Sequence, residues 1–221
     1  MMSDQHIATA FDRDLEAIQA LLMKMGGLVE ENIRAGAAAL KDRDVDQAEA
    51  VRRADKLVDD LEEKITQECA RVLALRQPAA SDLRTVLTVM KVATNLERIG
   101  DYAKNIFDLT KVGLDLEAGP REAALVPLKD KISKLLVRAH GLFERQDTAK
   151  AREFLSEVVE LEDECDAAVE ELLRLSGRNT SPAVLTYRYF KRVISHIGNV
   201  VTSLVVPLDK LDYFDEPRDK Q

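Results

Sequence analysis

The sequence of 221 residues contains no tryptophan, and aromatic residues make up only 5% of it. Proline and glycine are also scarce, with 6 and 9 residues, so the signals for turns are few and widely spaced. Hydrophobic residues, mostly aliphatic, make up 46% of the chain and charged residues 33%. This composition favours long helices packed through aliphatic seams, and it is poorly suited to β-strands.

Other absences narrow the class of protein. No apolar run approaches the ~20 residues that a membrane-spanning helix needs. The first fourteen residues carry four charges and no apolar core of a signal peptide, so we expect a cytosolic protein. A net charge of −8 argues against nucleic-acid binding, which requires a basic surface. Cys69 and Cys165 both fall within helical patterns, and we expect two small buried residues in a reducing compartment.

The first half of the chain carries apolar residues at intervals of three and four, which predicts three long helices. The first covers residues 6–41, the second ends near Leu75, and the third runs to about Lys111. Gly26-Gly27 weakens the first helix locally, and either a kink or the close approach of a neighbour would explain it. Three such helices with short connections form an antiparallel bundle over residues 1–111.

The second half repeats this plan. Residues 112–124 lack a sustained pattern and contain turn formers, so we predict a linker there. Three more helices are predicted within residues 125–208, followed by a polar tail at 209–221. A period of about 100 residues built from three helices indicates a duplicated bundle. The predicted fold is therefore all-α, with two tandem, structurally similar three-helix bundles.

Two segments show the repeat at the level of residues. The segment DKLVDDLEEKI at 55–65 parallels EDECDAAVEEL at 162–172. Likewise LERIGDYAKNI at 96–106 parallels FKRVISHIGNV at 190–200. Equivalent positions in the two halves can therefore be compared directly.

Two pairs of carboxylates stand out in the first half: Asp55 with Asp59, and Glu97 with Asp101. A spacing of four residues puts each pair on one helical face about 6 Å apart, where like charges destabilise the helix. Both pairs lie beside the apolar seam, so neighbouring helices would bring four carboxylates together. Such an oxygen-rich set suits a hard or borderline cation. With 40 acidic residues in the chain, a merely solvated face also remains open.

No catalytic constellation accompanies these acids. The sequence has no Glu-x-x-His motif of di-iron bundles, no glycine-rich phosphate loop and no Cys/His or Ser/His arrangement. The three histidines share no metal-ligand spacing. Arg71, Arg76 and Arg84 flank the turn at Pro78. They form either a solvated rim or a site for a phosphate or an acidic partner.

Taken together, four stretches resemble the PhoU family: MGGLVEENI at 25–33, the DxxxD of Asp55 and Asp59, RVLALRQPAASDLR at 71–84, and NLERIGDYAKNI at 95–106. The resemblance covers nearly the whole chain. It implies a non-enzymatic cytosolic regulator made of twin three-helix bundles, often a homodimer. The implied role is negative regulation of phosphate uptake and of the phosphate-starvation response. The implied partners are the ATPase subunit of the phosphate ABC transporter and the phosphate-sensing histidine kinase, through which alone the protein would meet the membrane.

The resemblance also implies a metal site, because some family members hold multinuclear clusters on (E/D)xxxD motifs. The matching residues here are Asp55, Asp59, Glu97 and Asp101. The implied ion is divalent or trivalent, with iron, zinc and magnesium all open.

The second half departs from the family pattern. Glu162 and Asp166 keep the motif, whereas Lys191 and Ser195 stand where the family has Glu and Asp. His196 and Asn199 also remain as possible members of this second set. Because Lys191 places a cation at the site, we expect the second metal site to be weakened or lost.

Two other functions are open from the residues alone. One is a metal-binding helical bundle with a storage or hydrolytic role. A hydrolase would need a metal-bound water and a base, and the acidic flank is the sharpest candidate for these. The other is a purely structural bundle, which would bind no metal.

Overall fold

The computed structural model describes residues 2–42, 45–111, 114–145, 147–176 and 179–206. Within these ranges the chain is mostly helical and contains no strand, so the predicted all-α fold is confirmed. The seven helices are α1 (Met2–Asp42), α2 (Val45–Arg76), α3 (Ala80–Lys111), α4 (Pro120–Ala123), α5 (Leu125–Arg145), α6 (Thr148–Arg174) and α7 (Ser181–Thr202).

The first bundle consists of α1, α2 and α3, each of which packs along the other two. The apolar residues that recur at intervals of three and four along α2 form a buried seam, in which Val58, Ile65, Cys69 and Val72 are inaccessible to solvent. Fully burying an aliphatic side chain of this size contributes about 1.5–3 kcal/mol. The three-four spacing of α2 is therefore the sequence feature that holds this bundle together.

Helix α1 continues through Gly26-Gly27. A Cβ placed on either glycine would meet no atom within 4 Å. Of the two explanations open from the sequence, a kink or the close approach of a neighbour, the close approach is therefore wrong. The adjacent Met25 and Val29 are fully buried, and this packing maintains the helix despite two poor helix formers.

The connection between α2 and α3 reverses the chain within three residues, 77–79. Gln77 and Ala80 have φ angles of 48° and 49°, in the left-handed region that residues with side chains rarely adopt. Between them, Pro78 cannot supply a backbone donor to continue α2. This tight turn places α2 and α3 side by side, which positions their acidic motifs on neighbouring helices.

The second bundle consists of α5, α6 and α7, with α7 packed along both of the others. Helix α6 begins after Asp147, whose carboxylate accepts a hydrogen bond from the backbone N–H of Lys150 at 3.1 Å. That hydrogen bond lowers the pKa of Asp147 below its ordinary value. Helix α7 begins with Ser181-Pro182, where the missing N–H of proline costs no helical hydrogen bond.

Helices α3 and α7 join the two bundles and run antiparallel. Arg84, near the start of α3, contacts Val206 just after α7, whereas Tyr102 late in α3 lies beside Tyr189 early in α7. Helix α1 also packs against α5. The buried side chains of the two bundles consequently form one continuous core.

The predicted linker contains the short helix α4. The Tyr187 hydroxyl of α7 donates a hydrogen bond to the carbonyl oxygen of Arg121, with 2.7 Å between the two oxygens. This contact links α4 to the second bundle. Residues 112–113 of the linker and the predicted polar tail at 209–221 lie outside the described residues. The division into two folding units stays a prediction.

Cys69 and Cys165 are free and fully buried, as expected. Burial raises the pKa of their thiols to about 11 and about 12, so neither is a reactive thiolate near neutral pH. Across the described ranges, every helix is too short or too polar to cross a membrane.

Candidate functional site

The four carboxylates predicted as a metal site lie on the neighbouring helices α2 and α3, and we call this set the first flank. Asp55 and Asp59 come from α2, and Glu97 and Asp101 from α3. Asp55 is 3% exposed, whereas Asp59 is exposed and the two α3 carboxylates are half-buried. The helical wheel correctly placed the pairs on adjoining faces, but Asp55 lies deeper than a position beside the seam suggests.

Lys104 contacts two of the four acids of the first flank. Its Nζ is 2.5 Å from Asp55 Oδ2 and 2.8 Å from Asp101 Oδ1, so one ammonium bridges an acid of α2 and an acid of α3. Burial alone would lower the pKa of Lys104, but hydrogen bonds to Asp101 and Asp55 raise that pKa above the ordinary lysine value. The first flank therefore contains a permanent cation of its own.

Asp55 meets α3 at Gly100. A Cβ on Gly100 would stand 3.0 Å from Asp55 Oδ1, so the missing side chain makes room for the carboxylate. That Oδ1 atom is buried, and no described group donates a hydrogen bond to it. An unpaired buried acceptor costs free energy, and native structures contain few of them. Asp55 thus has one oxygen bound to Lys104 and one buried oxygen without a hydrogen-bond donor.

Asp59 and Glu97, the two acids of the first flank that do not contact Lys104, are repelled by neighbouring carboxylates. Asp59 is exposed, but partial loss of solvent around its carboxylate raises its pKa, and the charge of Asp55 raises it further. Burial and the charge of Asp101 likewise raise the pKa of Glu97. Arg98 approaches Glu97 and Asp101 at 3.5 and 3.8 Å from the exposed rim, where solvent weakens its effect. The first flank keeps uncompensated negative charge despite Lys104.

The chemistry of the first flank suits a multivalent cation. Carboxylate oxygens are the ligands that hard cations prefer, and Asp55 supplies a buried one without a partner. In the part of the chain that is described, however, no three His, Cys, Asp or Glu side chains form a ready metal-ligand group. Lys104 instead bridges two of the four acids. An ion that took these same two oxygens as ligands would have to displace the ammonium.

The corresponding residues of α6 and α7 are Glu162, Asp166, Lys191 and Ser195, and we call them the second flank. Lys191 Nζ lies 2.5 Å from Asp166 Oδ2, as the sequence predicts. Ser195 donates a hydrogen bond to Glu162 Oε1, and Arg188 Nη1 is 3.5 Å from Asp166 Oδ1. Each acid of the second flank is thus satisfied by a side chain of α7.

His196 is placed away from the second flank, at the junction of the two bundles. Its Nδ1 lies 2.9 Å from Asn95 Oδ1 of α3, and its ring stacks on Tyr102 with centroids 5.7 Å apart. Asn199 is half-buried about one turn further along α7. The structure therefore groups His196 with α3 rather than with Glu162 and Asp166.

The three arginines that flank the turn between α2 and α3 contact other parts of the chain. Arg71 Nη2 and Arg76 Nε lie 2.9 and 3.0 Å from the two carboxylate oxygens of Asp14 on α1. Arg84 Nη2 donates to the carbonyl oxygen of Val206 at 2.7 Å. These contacts favour a structural role for the arginines over an anion-binding site.

Known proteins share both the sequence and the fold. Residues 22–110 match the family model described as the PhoU domain. Over 198 residues the chain is 32% identical to the phosphate-specific transport system accessory protein PhoU of Escherichia coli (strain K12), which covers 89% of this chain and 82% of that protein. The chain belongs to the PhoU family. A PhoU homolog of Pseudomonas aeruginosa is 44% identical over 101 residues, 46% of this chain and 42% of the homolog.

Two solved PhoU structures match the fold. The crystal structure of the phosphate transport system regulatory protein PhoU from Streptococcus pneumoniae gives a TM-score of 0.79 at 23% identity, covering 91% of this chain and 96% of that chain. The crystal structure of PhoU from Pseudomonas aeruginosa gives 0.75 at 29% identity, covering 88% and 97%. Both matches extend through the two bundles, so the twin-bundle architecture of the PhoU family holds for this chain.

Sequence reasoning missed Lys104 and Gly100 of this PhoU-family chain. Lys104 follows Asp101 by three residues, a spacing that places the two side chains on one helical face. Gly100 stands inside a helix, where glycine costs about 1 kcal/mol relative to alanine and therefore indicates a close approach. Gly100 and Lys104 both lie within the segment LERIGDYAKNI, which also contains Glu97 and Asp101.

Proposed function

We propose that this chain is a negative regulator of phosphate uptake and of the phosphate-starvation response, acting in the cytoplasm without catalytic chemistry of its own. The supporting observation is membership of the PhoU family over both bundles. Its relatives are named as accessory or regulatory proteins of phosphate transport. The acids of the second flank, moreover, bind Lys191 and Ser195 of the protein itself.

The proposed mode of action is that of an adaptor between the ATPase subunit of the phosphate ABC transporter and the phosphate-sensing histidine kinase. Exposed leucines lie beside two of the connections between helices: Leu75 and Leu83 at the α2–α3 turn, and Leu173 and Leu185 at the α6–α7 turn. Because α3 and α7 are antiparallel, these turns lie at opposite ends of the molecule. Two separate apolar ends suit a protein that bridges two partners, and such surfaces also allow a homodimer.

A metal ion is the proposed ligand of the first flank. Asp55, Asp59, Glu97 and Asp101 would hold a divalent or trivalent cation such as iron, zinc or magnesium. When bound, the ion would neutralise the mutual repulsion of these acids and link α2 to α3. The alternative role in metal storage or hydrolysis rests on the same acids. A hydrolytic metal needs a bound water and a nearby base, and the bridging ammonium of Lys104 disfavours that arrangement.

The test of regulation is a gene deletion in the source organism. A reporter fused to a phosphate-uptake promoter is followed in phosphate-rich medium. We expect the promoter to stay active in the deletion strain and to be repressed again by the wild-type gene. A complementing gene with Glu97→Ala and Asp101→Ala then shows whether regulation needs the first flank. Normal repression in the deletion strain would contradict the regulatory function.

A further inference from the structure

We propose that Lys104 is a resident counter-cation of the first flank, which competes with a multivalent metal ion for Asp55 and Asp101. The inference rests on the proposal that this flank binds a metal. In the metal-free protein Lys104 binds two of these acids. The free energy needed to displace it then lowers the affinity of the first flank for a metal ion.

The first support is geometric. The ammonium of Lys104 contacts one oxygen of Asp55 and one oxygen of Asp101, at 2.5 and 2.8 Å. The Asp55 side chain is only 4% exposed, so an ammonium or a metal ion must compensate its charge. Any other cation that binds Asp55 must therefore displace Lys104 or share the carboxylate with it.

The second support is the unpaired oxygen of Asp55. Its Oδ1 lies buried against the backbone at Gly100, and no described donor reaches it. Lys104 therefore contacts only one of the two oxygens of this carboxylate. One ammonium also cannot balance four carboxylates, whereas an ion of charge two or three brings more positive charge to them. Lys104 therefore binds two acids of the first flank but leaves Asp55 Oδ1 without a donor and the net charge of the flank negative.

The third support is that Lys104 can leave without unfolding. Its side chain is 30% exposed, and its charge sits at the end of a flexible four-carbon stem. Rotation of that stem would carry the ammonium into solvent while α3 stays in place. Displacement of Lys104 would thus break its contacts with Asp55 of α2 and Asp101 of α3 and leave the helices packed as before.

The second flank lacks these features. Lys191 pairs with Asp166, and Ser195 satisfies Glu162. No carboxylate oxygen of Glu162 or Asp166 is among the buried unpartnered atoms of the described residues. Competition between a lysine and a metal is therefore assigned to the first flank alone.

Titration calorimetry with Mn²⁺ tests the inference. Metal-stripped wild-type protein is compared with Lys104→Met, which keeps a flexible apolar stem but removes the ammonium. We expect the Kd for Mn²⁺ to fall by about tenfold, because the ion no longer displaces a bound charge. Lys56→Met is the matched control, since Lys56 is exposed on α2 next to Asp55 and its loss changes the net charge equally. The control should bind Mn²⁺ like the wild type.

Each outcome separates the claims. Equal affinity of Lys104→Met and wild type, or weaker binding by the variant, overturns the competition while metal binding stands. An equal gain in Lys56→Met also overturns it, because net charge alone would then explain the change. Absence of Mn²⁺ binding in every variant removes the metal proposal and this inference, while the deletion experiment still decides regulation. If Lys104→Met fails to fold, Lys104→Gln carries the same expectation, with circular dichroism as the check.

Discussion

The two acidic flanks occupy equivalent positions in the two halves, yet their charges are compensated differently. In the first flank, Lys104 bridges two of four carboxylates and leaves a buried oxygen of Asp55 without a donor. In the second flank, Lys191 and Ser195 satisfy the two carboxylates that remain. The duplication has therefore kept the helices and their seams, but it has kept an unsatisfied acidic set in one half only.

The glycines of α3 and α7 stand at different positions of the repeat and make room for different groups. By the sequence repeat, Lys104 of the first half corresponds to Gly198 of the second. Gly100 makes room for the carboxylate of Asp55, whereas a Cβ on Gly198 would meet the Cγ1 of Val158 at 3.0 Å. Close helix packing thus admits a charged oxygen in one half and a methyl group in the other.

The largest expected difference between the flanks is metal content. Replacing Glu97 and Asp101 with Ala should abolish metal binding, because it removes both α3 ligands of the first flank. Replacing Glu162 and Asp166 should barely change it, since Lys191 and Ser195 already compensate those acids. Elemental analysis of the two purified double variants measures the effect. Equal loss in both, or metal retained on the second bundle alone, would overturn the asymmetry.

A smaller difference is expected in the stability of metal-free protein. Lys104→Met should lower the free energy of unfolding by about 2 kcal/mol, because the buried Asp55 loses its counter-ion. Lys191→Met should cost less than about 0.5 kcal/mol, because Asp166 is 47% exposed and keeps Arg188 nearby. Urea denaturation in the presence of a chelator measures both values. Equal decreases in the free energy of unfolding would show that Lys104 and Lys191 stabilise their flanks equally, against this prediction.

The fold was predictable because its signals are local. The seam of α2, from Val58 to Val72, repeats at three and four residues, and such a period requires no knowledge of the partner helix. The placement of the four acids on neighbouring helices was predictable for the same reason, since two i, i+4 motifs stand on consecutive helices. Helix α4 was missed because four residues are too few to show a period, although Pro120 at its first position is a typical start.

The details of the site were less predictable because they depend on how one helix is rotated against another. The depth of Asp55 and the reach of Lys104 follow from the packing of α2 on α3 at Gly100. The pairing of Asp14 with Arg71 and Arg76 joins residues more than fifty positions apart. No periodicity within one helix contains that information.

The smallest expected effect compares the arginines at the ends of α2 and α6. Arg71 and Arg76 bind Asp14 of another helix, whereas Arg174 pairs with Glu170 of its own helix. The hydrogen bond from Arg71 holds the pKa of Asp14 below its ordinary value. A lowered pKa in the folded state means that this contact stabilises the fold above about pH 4 and is lost as the pH falls through the folded-state value.

Asp14→Asn should therefore lose less stability than the wild type between about pH 6 and about pH 3. Glu68, which also contacts Arg71, remains in both proteins and contributes equally. Glu170→Gln should follow the wild-type profile, because its exposed pair lies within one helix and is screened by solvent. Urea denaturation at several pH values measures all three. Parallel profiles of Asp14→Asn and wild type would show that the contact between α1 and α2 contributes nothing that depends on pH.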